Sequence, residues 1–265
     1  MNPIPLNACN PGPLTGAGNW TWLIPGRVPT LIDAGTGEPA FLDALQHALD
    51  GAVLVQVLVT HAHTDHASGI TALKERMPHV RLRKMPWPER DTRWPAAWEP
   101  LADGDLVDAG DSSLVAIHTP GHAPDHLCFW HEATRTLFGA DLALKDSTVF
   151  IPASQGGDLT AYLASIERVI ALGPSRILPA HGAVMDDPLK VLRGYLDHRR
   201  AREAQIVTAL GGGPADLDAM VARIYKRLTP ALLPLARESL LAHLVKLEGE
   251  GRARRDGNAW NMIGP

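Results

Sequence analysis

Two cysteines, Cys9 and Cys128, are all that this chain of 265 residues contains. That excludes a disulfide-stapled scaffold and an all-cysteine metal site, and either thiol reads as a small buried residue. There is no apolar run near the roughly 18 to 20 residues that a membrane span requires, so no membrane partner is expected. The opening Met1-Asn2-Pro3-Ile4-Pro5 has no basic stretch leading into an apolar one. It does not read as a secretory signal, and the expected compartment is the cytoplasm. No internal repeat or low-complexity segment stands out. With 45% hydrophobic and 20% charged residues, the chain reads as globular, with length enough for one to two domains. What it has in quantity is histidine, twelve in all, among them His61, His63, His66, His118, His122, His126 and His131. A histidine-rich tract in an otherwise ordinary apolar sequence points to metal binding or proton transfer.

Charge is distributed unevenly. Residues 1–189 carry 12 Lys+Arg and 21 Asp+Glu, whereas residues 190–265 carry 13 and 8, so a net −9 is followed by a net +5. Two modules dividing between residues 189 and 190 are expected, the second either meeting an anionic partner or presenting a solvated basic face, which is the simpler account. The pattern of the first part alternates. β-rich runs at Thr21–Ile24, Thr30–Asp33, Val53–Thr60, Leu114–Thr119, Leu127–Trp130, Thr136–Gly139 and Arg176–Pro179 interleave with helical stretches at Glu38–Asp50, Ala67–Met77 and Leu159–Leu172, which reads as α/β layers. Between Met85 and Pro100 a Pro- and Trp-rich excursion reads as a wall of a binding site or a loop pinned by its tryptophans. From Asp187-Pro188 the pattern is helical: one long helix through Leu210, a second opened by Asp216-Leu217-Asp218, a third over Pro234–Leu247, then a hairpin over Arg252–Trp260 turning at Asp256-Gly257. Three helices and a hairpin outline a winged helix.

The strongest signal is Thr60-His61-Ala62-His63-Thr64-Asp65-His66 at the end of the apolar run Val53–Val59. His61 and His63 share a side if strand geometry continues, while Asp65 and His66 lie where the chain turns into a helix, so one segment offers two pairs of ligands to neighbouring metals. His122 (Thr119-Pro120-Gly121-His122), Asp141 (Phe138-Gly139-Ala140-Asp141) and His181 (Leu178-Pro179-Ala180-His181-Gly182) end later β-like runs. Seven N and O ligands suit two hard-to-borderline cations and a dinuclear zinc hydrolase rather than a thiolate site. Two such metals hold a hydroxide and polarise the scissile group.

HxHxDH followed by His, Asp and His resembles the motif set of the metallo-β-lactamase fold superfamily of hydrolases. Asn10-Pro11-Gly12-Pro13-Leu14-Thr15, Gly18–Leu23, Asp146–Phe150, His198–Glu203 and Ala242–Glu248 are similar to the β-lactamase-like protein 2 group within it. The resemblance covers nearly the whole chain. It implies a four-layer αββα domain followed by a small winged-helix-like α+β domain. It also implies one metal held by His61, His63 and His122, a second held by Asp65, His66 and His181, and Asp141 bridging them. Asp65 then doubles as the acceptor for the proton of the attacking water. The metals implied are two zinc ions, with manganese or iron accepted by the same ligands. Relatives in that group include single-strand endoribonucleases, and fungal ones act as thioesterases, so the expected substrate is single-stranded RNA or a small ester or thioester. Alternatives are lactone or β-lactam hydrolysis, or a winged-helix nucleic-acid-binding regulator with a sensing metal site.

Around the ligands, His118 and His126 are candidates for orienting a ligand, His126 also for a catalytic part. His47, His79 and His131 read as surface residues. His198 with Arg199 or Arg202 reaches either an anionic substrate or, the favoured reading, acidic groups of the first module. Lys145 and Thr148 are candidates for facing the cleft. Arg252, Arg254 and Arg255 of the hairpin meet phosphates or form a plain basic tail. The oligomeric state is left open by the sequence.

Overall fold

The computed structural model describes residues 1–226 and 228–263. Strands β1 (Ile4–Asn7), β2 (Trp20–Ile24), β3 (Thr30–Ile32), β4 (Gln56–Leu58), β5 (Arg81–Lys84) and β6 (Trp98–Pro100) form one sheet in chain order. The first three are antiparallel and the rest add in parallel. Parallel addition needs crossovers. These are α1 (Pro39–Leu49) between β3 and β4, α2 (Thr64–Ala67) and α3 (Ile70–Arg76) between β4 and β5, and the short α4 (Pro88–Asp91) before β6. A second sheet contains β7 (Leu106–Ala109), β8 (Ser112–His118), β9 (Leu127–His131), β10 (Thr136–Ala140) and β11 (Arg176–Pro179). It is antiparallel except where α5 (Leu159–Leu172) carries the chain across to pair β11 parallel with β10.

Three buried clusters define the layers. Leu23, Leu31, Val57 and Leu82 of the first sheet pack on Phe41, Leu45, Ile70 and Leu73 of its helices. The other face, with Trp22, Ile24, Ile32 and Leu58, meets Leu114, Phe129, Phe138 and Leu178 of the second sheet. The outer face of the second sheet, with Ile117, Cys128, Leu137 and Ile177, is covered by Tyr162, Ile166 and Val169 of α5 and by Leu192, Tyr195 and Leu196 of α6 (Pro188–Gly211). This is the expected four-layer αββα arrangement.

A fourth cluster belongs to the C-terminal part. Ile206 and Leu210 of α6 pack with Met220 and Val221 of α7 (Leu217–Ile224), Leu240, Leu244 and Leu247 of α8 (Leu233–Gly249), and Ala253 and Trp260 of the hairpin. The hairpin strands are β13 (Ala253–Asp256) and β14 (Ala259–Met262), joined at the sheet edge by β12 (Ala215–Asp216) in the order β12-β14-β13. Asp216 caps α7 by accepting from Ala219 N at 2.8 Å. The outline is the expected winged helix, with α6 contributing its first half to one core and its second half to another.

Three local readings differ from the expectation. The run Val53–Thr60 contributes only β4 to the ladder: Val53 is exposed, and Thr60 N turns from backbone partners to the Asp33 carboxylate at 2.8 Å. The helix expected over Ala67–Met77 is two helices, because Gly69 N donates to Gly35 O at 3.0 Å and Asp65 O, its partner in a continuous helix, accepts from Asn19 Nδ2 at 2.9 Å. His131 is buried, with its Nε2 2.7 Å from Ser112 Oγ and its Nδ1 2.6 Å from Thr134 Oγ1, whereas His47 and His79 are exposed as expected. Cys9 is exposed, while Cys128 is buried, which pushes its thiol up to about 12.

Candidate metal centre

Five strands deliver side chains to one place. Just beyond the C-terminal ends of β3, β4, β8, β10 and β11 stand Asp33, the segment His61–His66, His122, Asp141 and His181. The carboxyl ends of strands are where α/β sheets leave backbone free to build sites. Cross-links between the sheets close the gap: Leu127 N donates to Thr60 O at 2.9 Å and Trp20 N to Ala180 O at 2.6 Å, while Ala180 N to Ala140 O at 3.0 Å extends the β10–β11 pairing up to the site. Asp141 is aimed by a register shift between Phe138 and Ala140, where Ala140 takes a left-handed φ of 42°. Such a bulge redirects the chain that follows it. His122 sits on a turn pressed against α5. A Cβ on Gly121 would lie 2.3 Å from Tyr162 Cα, and Ser165 Oγ donates to Pro120 O at 2.8 Å.

All seven expected residues come together, in overlapping groups. His61 Nε2 and His122 Nε2 lie 3.0 and 2.9 Å from His63 Nδ1. Asp65 Oδ2 lies 3.5 Å from His66 Nε2 and 3.2 Å from His181 Nε2. Asp141 spans the two groups: its Oδ1 is 3.6 Å from His66 Nε2 and 3.3 Å from His181 Nε2, and its Oδ2 is 3.3 Å from His122 Nε2. Two ligands of one tetrahedral ion, each about 2.0 to 2.1 Å from it, stand roughly 3.3 Å apart. His66 Nε2 and Asp141 Oδ1 are buried without a hydrogen-bond partner, too far apart to bond each other and well spaced to share a cation. The donor set fits a divalent ion at each group.

The other nitrogens are occupied in a way that fixes the rings. His122 Nδ1 donates to Phe150 O at 2.6 Å. His66 Nδ1 lies 2.7 Å from Asp33 Oδ2, and His61 Nδ1 3.0 Å from Thr60 Oγ1, whose hydroxyl reaches both Asp33 oxygens at 3.0 Å. With Nδ1 donating, the neutral form of each of these three rings presents a bare Nε2. Burial, reinforced by neighbouring imidazoles, holds His61 well below the ordinary range and brings His63 down to about 3. Burial also lowers His122, so this group consists of neutral imidazoles, the form in which a ring can accept a cation. At His66 burial also opposes charge, but Asp65, Asp33 and Asp141 outweigh it and raise its pKa; Asp141 and Asp65 do the same for His181.

Residues 14–181 match the family described as the metallo-β-lactamase superfamily, and residues 217–260 the β-lactamase-associated winged helix domain. The chain belongs to the metallo-β-lactamase superfamily. Membership makes it a hydrolase, and the fold implies divalent metal binding. It is 32% identical over 267 residues to the β-lactamase-like protein 2 homolog of Drosophila melanogaster, covering 95% of this chain and 89% of that one. It is also 32% identical over 206 residues to an atrochrysone carboxyl ACP thioesterase of Aspergillus chevalieri, covering 77% of this chain and 64% of that relative's length. A metallo-β-lactamase family protein of Thermus thermophilus shares the fold, with TM-score 0.79 at 22% identity over 99% of this chain and 98% of that one.

Within this metallo-β-lactamase frame, several residues do work that the motif alone did not announce. Asp33, buried with a left-handed φ of 64°, backs His66 and Thr60. Lys84 and Asp125, both buried, pair at 3.1 Å, and Asp125 Oδ2 accepts from Ala62 N at 2.9 Å, holding the backbone between His61 and His63. Burial pushes Asp125 up to about 6 against the pull of Lys84. Asn19, in one of the segments that carried the resemblance, donates to Asp65 O at 2.9 Å. The only signals for these were a polar residue ending an apolar run and the segment around Asn19. The Met85–Pro100 excursion is pinned by its tryptophans, one of the two expectations: Trp94 and Trp98 pack on the first core, and Trp94 Nε1 donates to Ala62 O at 3.3 Å.

His126 is buried, with Nδ1 2.8 Å from Thr119 Oγ1 and Nε2 accepting from Asp141 N at 3.2 Å. Both nitrogens are taken, so its place is behind Asp141 rather than in the catalytic part also considered for it. His118 bonds Pro124 O at 2.8 Å and no candidate ligand. Lys145, Thr148 and His198 line a groove of about 990 Å3 whose walls are α6 and the segments that follow Asp141 and His181. Arg199 and Arg202 do not pair with acidic groups of the first module: Arg199 reaches Val149 O and Thr148 Oγ1, and Arg202 bonds Gln205 and lies over the Tyr225 ring.

Proposed function

We propose that the chain is a dinuclear zinc hydrolase of acyl thioesters, with residues 1–189 as the catalytic unit and 190–265 as a packing module. The observation that carries the metal reading is Asp141, whose two oxygens face the two separate histidine groups. In this reading His61, His63 and His122 hold one ion, Asp65, His66 and His181 the other, and Asp141 both. The all-N and O set suits zinc, and manganese or iron would be accepted by it. Two bound cations supply Lewis acidity and acidify a water. Asp65 takes the proton of the attacking water at its carboxylate, and His126 keeps Asp141 in place through the backbone. Water adds to the acyl carbon, the C–S bond breaks, Asp65 returns the proton to the departing sulfur, and a carboxylic acid and a thiol leave.

The thioester preference rests on the groove and on the ACP thioesterase among the relatives. Leu144, Val184 and Tyr195 give the groove an apolar part, which suits an acyl chain, while Lys145 and Lys190 stand beside Asp146, Asp186 and Asp187 along it. RNA cleavage finds less support. Arg252 of the wing is held by Glu203 at 2.7 Å and Glu250 at 2.9 Å. In DNA readers the second helix of the helix-turn-helix enters the major groove. Here that helix, α8, is turned inward, with Glu238 accepting from Ser154 N and Oγ at 3.0 and 2.6 Å. The same packing weighs against a nucleic-acid regulator. The test is a metal-loaded assay against acyl thioesters, single-stranded RNA, lactones and a β-lactam. Thioester turnover lost in a folded Asp65→Ala variant is expected; Asp65-dependent RNA cleavage with no thioester turnover would replace the substrate reading.

A further inference from the structure

His122 owes its tautomer to a backbone carbonyl, Phe150 O, and a carbonyl is only as well placed as the segment that bears it. That segment leaves Asp141, crosses the exposed residues 145–148 and returns at Val149. Three side chains from two helices grip it. Tyr162 of α5 donates to Leu142 O at 2.8 Å. Tyr195 of α6 accepts from Leu144 N at 2.9 Å and donates to Leu144 O at 3.2 Å. Arg199, one turn further along α6, donates through Nη2 to Val149 O at 2.5 Å and to Thr148 Oγ1 at 3.3 Å. Its guanidinium lies over the Tyr162 ring, 5.7 Å from the centroid.

Arg199 is buried, and among the described residues no carboxylate pairs with it. A guanidinium in such a place costs more to bury than an apolar side chain of the same size. What it supplies is a rigid, permanently charged donor, and here its Nη2 ends one residue short of Phe150. We propose that Arg199 is a positioning residue for His122: by fixing Val149 O it sets the following carbonyl, Phe150 O, and thereby aims His122 Nε2 at the His61 and His63 nitrogens. Because α6 continues into the C-terminal core, the same contact ties the seating of that unit to one half of the metal centre.

The inference rests on the metal-centre reading, and the experiment separates the two. Zn2+ affinity is measured by chelator competition on the full chain, with the absorption spectrum of the Co2+-loaded protein and the thermal midpoint, for wild type, Arg199→Gln, Arg199→Lys and Leu192→Ala. Leu192 is a buried apolar residue of the same helix and serves as the control for destabilisation alone. Loss of a supporting contact behind a ligand weakens metal binding on the order of tenfold or more. Arg199→Gln should weaken one of two metals by about that factor and alter the Co2+ spectrum, Arg199→Lys should recover part of both, and Leu192→Ala should retain both metals despite a lower midpoint. Wild-type affinity and spectrum in Arg199→Gln would overturn the inference, as would equal metal loss in Leu192→Ala. If Arg199→Gln does not fold, Arg199→Lys decides by the same criteria. Wild-type protein that binds no metal at all would overturn the metal-centre reading, and this inference with it.

Discussion

Asp33 illustrates how much of the centre lies behind its ligands. It accepts from His66 Nδ1, Thr60 N and Thr60 Oγ1, so one carboxylate orients one ligand directly and a second through a hydroxyl. Asp33→Asn preserves shape and tolerance of the left-handed φ but removes the charge. Metal affinity measured by chelator competition should fall roughly 10- to 100-fold with the fold intact; an unchanged affinity would show that His66 needs no carboxylate behind it. Lys84 makes a similar case for stability. Its ammonium meets Asp125 at 3.1 Å and Asp91 at 2.6 Å, and Lys84→Met would strand Asp125 in the interior. Breaking a buried pair by removing one partner costs about 3 to 5 kcal/mol, and denaturant unfolding should register a loss of that order. The seven candidate ligands were legible because four stand in the string His61–His66 and His122, Asp141 and His181 each end a later β-like run, and the resemblance then divided them between two metals. Asp33, Lys84 and Asp125 were not, because single polar residues tens of positions apart become neighbours only through sheet register.

Among the elements, the helices were the easier to read. The helices expected over Glu38–Asp50, Leu159–Leu172, Pro188 through Leu210 and Pro234–Leu247 are α1, α5, α6 and α8 with ends within about two residues, whereas β5 and β6, written Arg81-Leu82-Arg83-Lys84 and Trp98-Glu99-Pro100, carry charge and proline that hide a parallel edge. The bulge that aims Asp141 depends on strand pairing and leaves no local signature. α8 carries a group with a testable cost. His243 is buried with both ring nitrogens unpartnered, and burial, then the positive charges of Arg199, Lys246, Arg202 and His198, brings it from 6.5 down to about 3. Above pH 6.5 it is neutral in both folded and unfolded chains. Below that the unfolded chain takes up a proton that the folded one refuses until about pH 3, so stability falls by up to about 1.4 kcal/mol per pH unit in that window. His243→Leu removes this term. Urea unfolding at pH 7.5 and pH 5 should show the variant gaining on wild type as pH drops, and parallel pH dependences would rule the effect out.

At the scale of the whole molecule, the basic balance that follows residue 189 is partly engaged in ion pairs, and α6 carries the chain across that point from one core into the other. Arg252 and Lys246 are paired with Glu203 and Glu250, and Arg199 serves the catalytic unit. Among the described residues no helix is long and apolar enough to cross a membrane. The two cores share α6, so the C-terminal unit is seated on the catalytic one by a continuous helix and by α8. The central claim is that the paired histidine groups and Asp141 form one dinuclear centre. Elemental analysis of the full chain after metal loading and removal of free ions tests it most directly: close to two ions per chain, falling in Asp141→Ala, is the predicted result, and one ion or none bound by the wild type would contradict it.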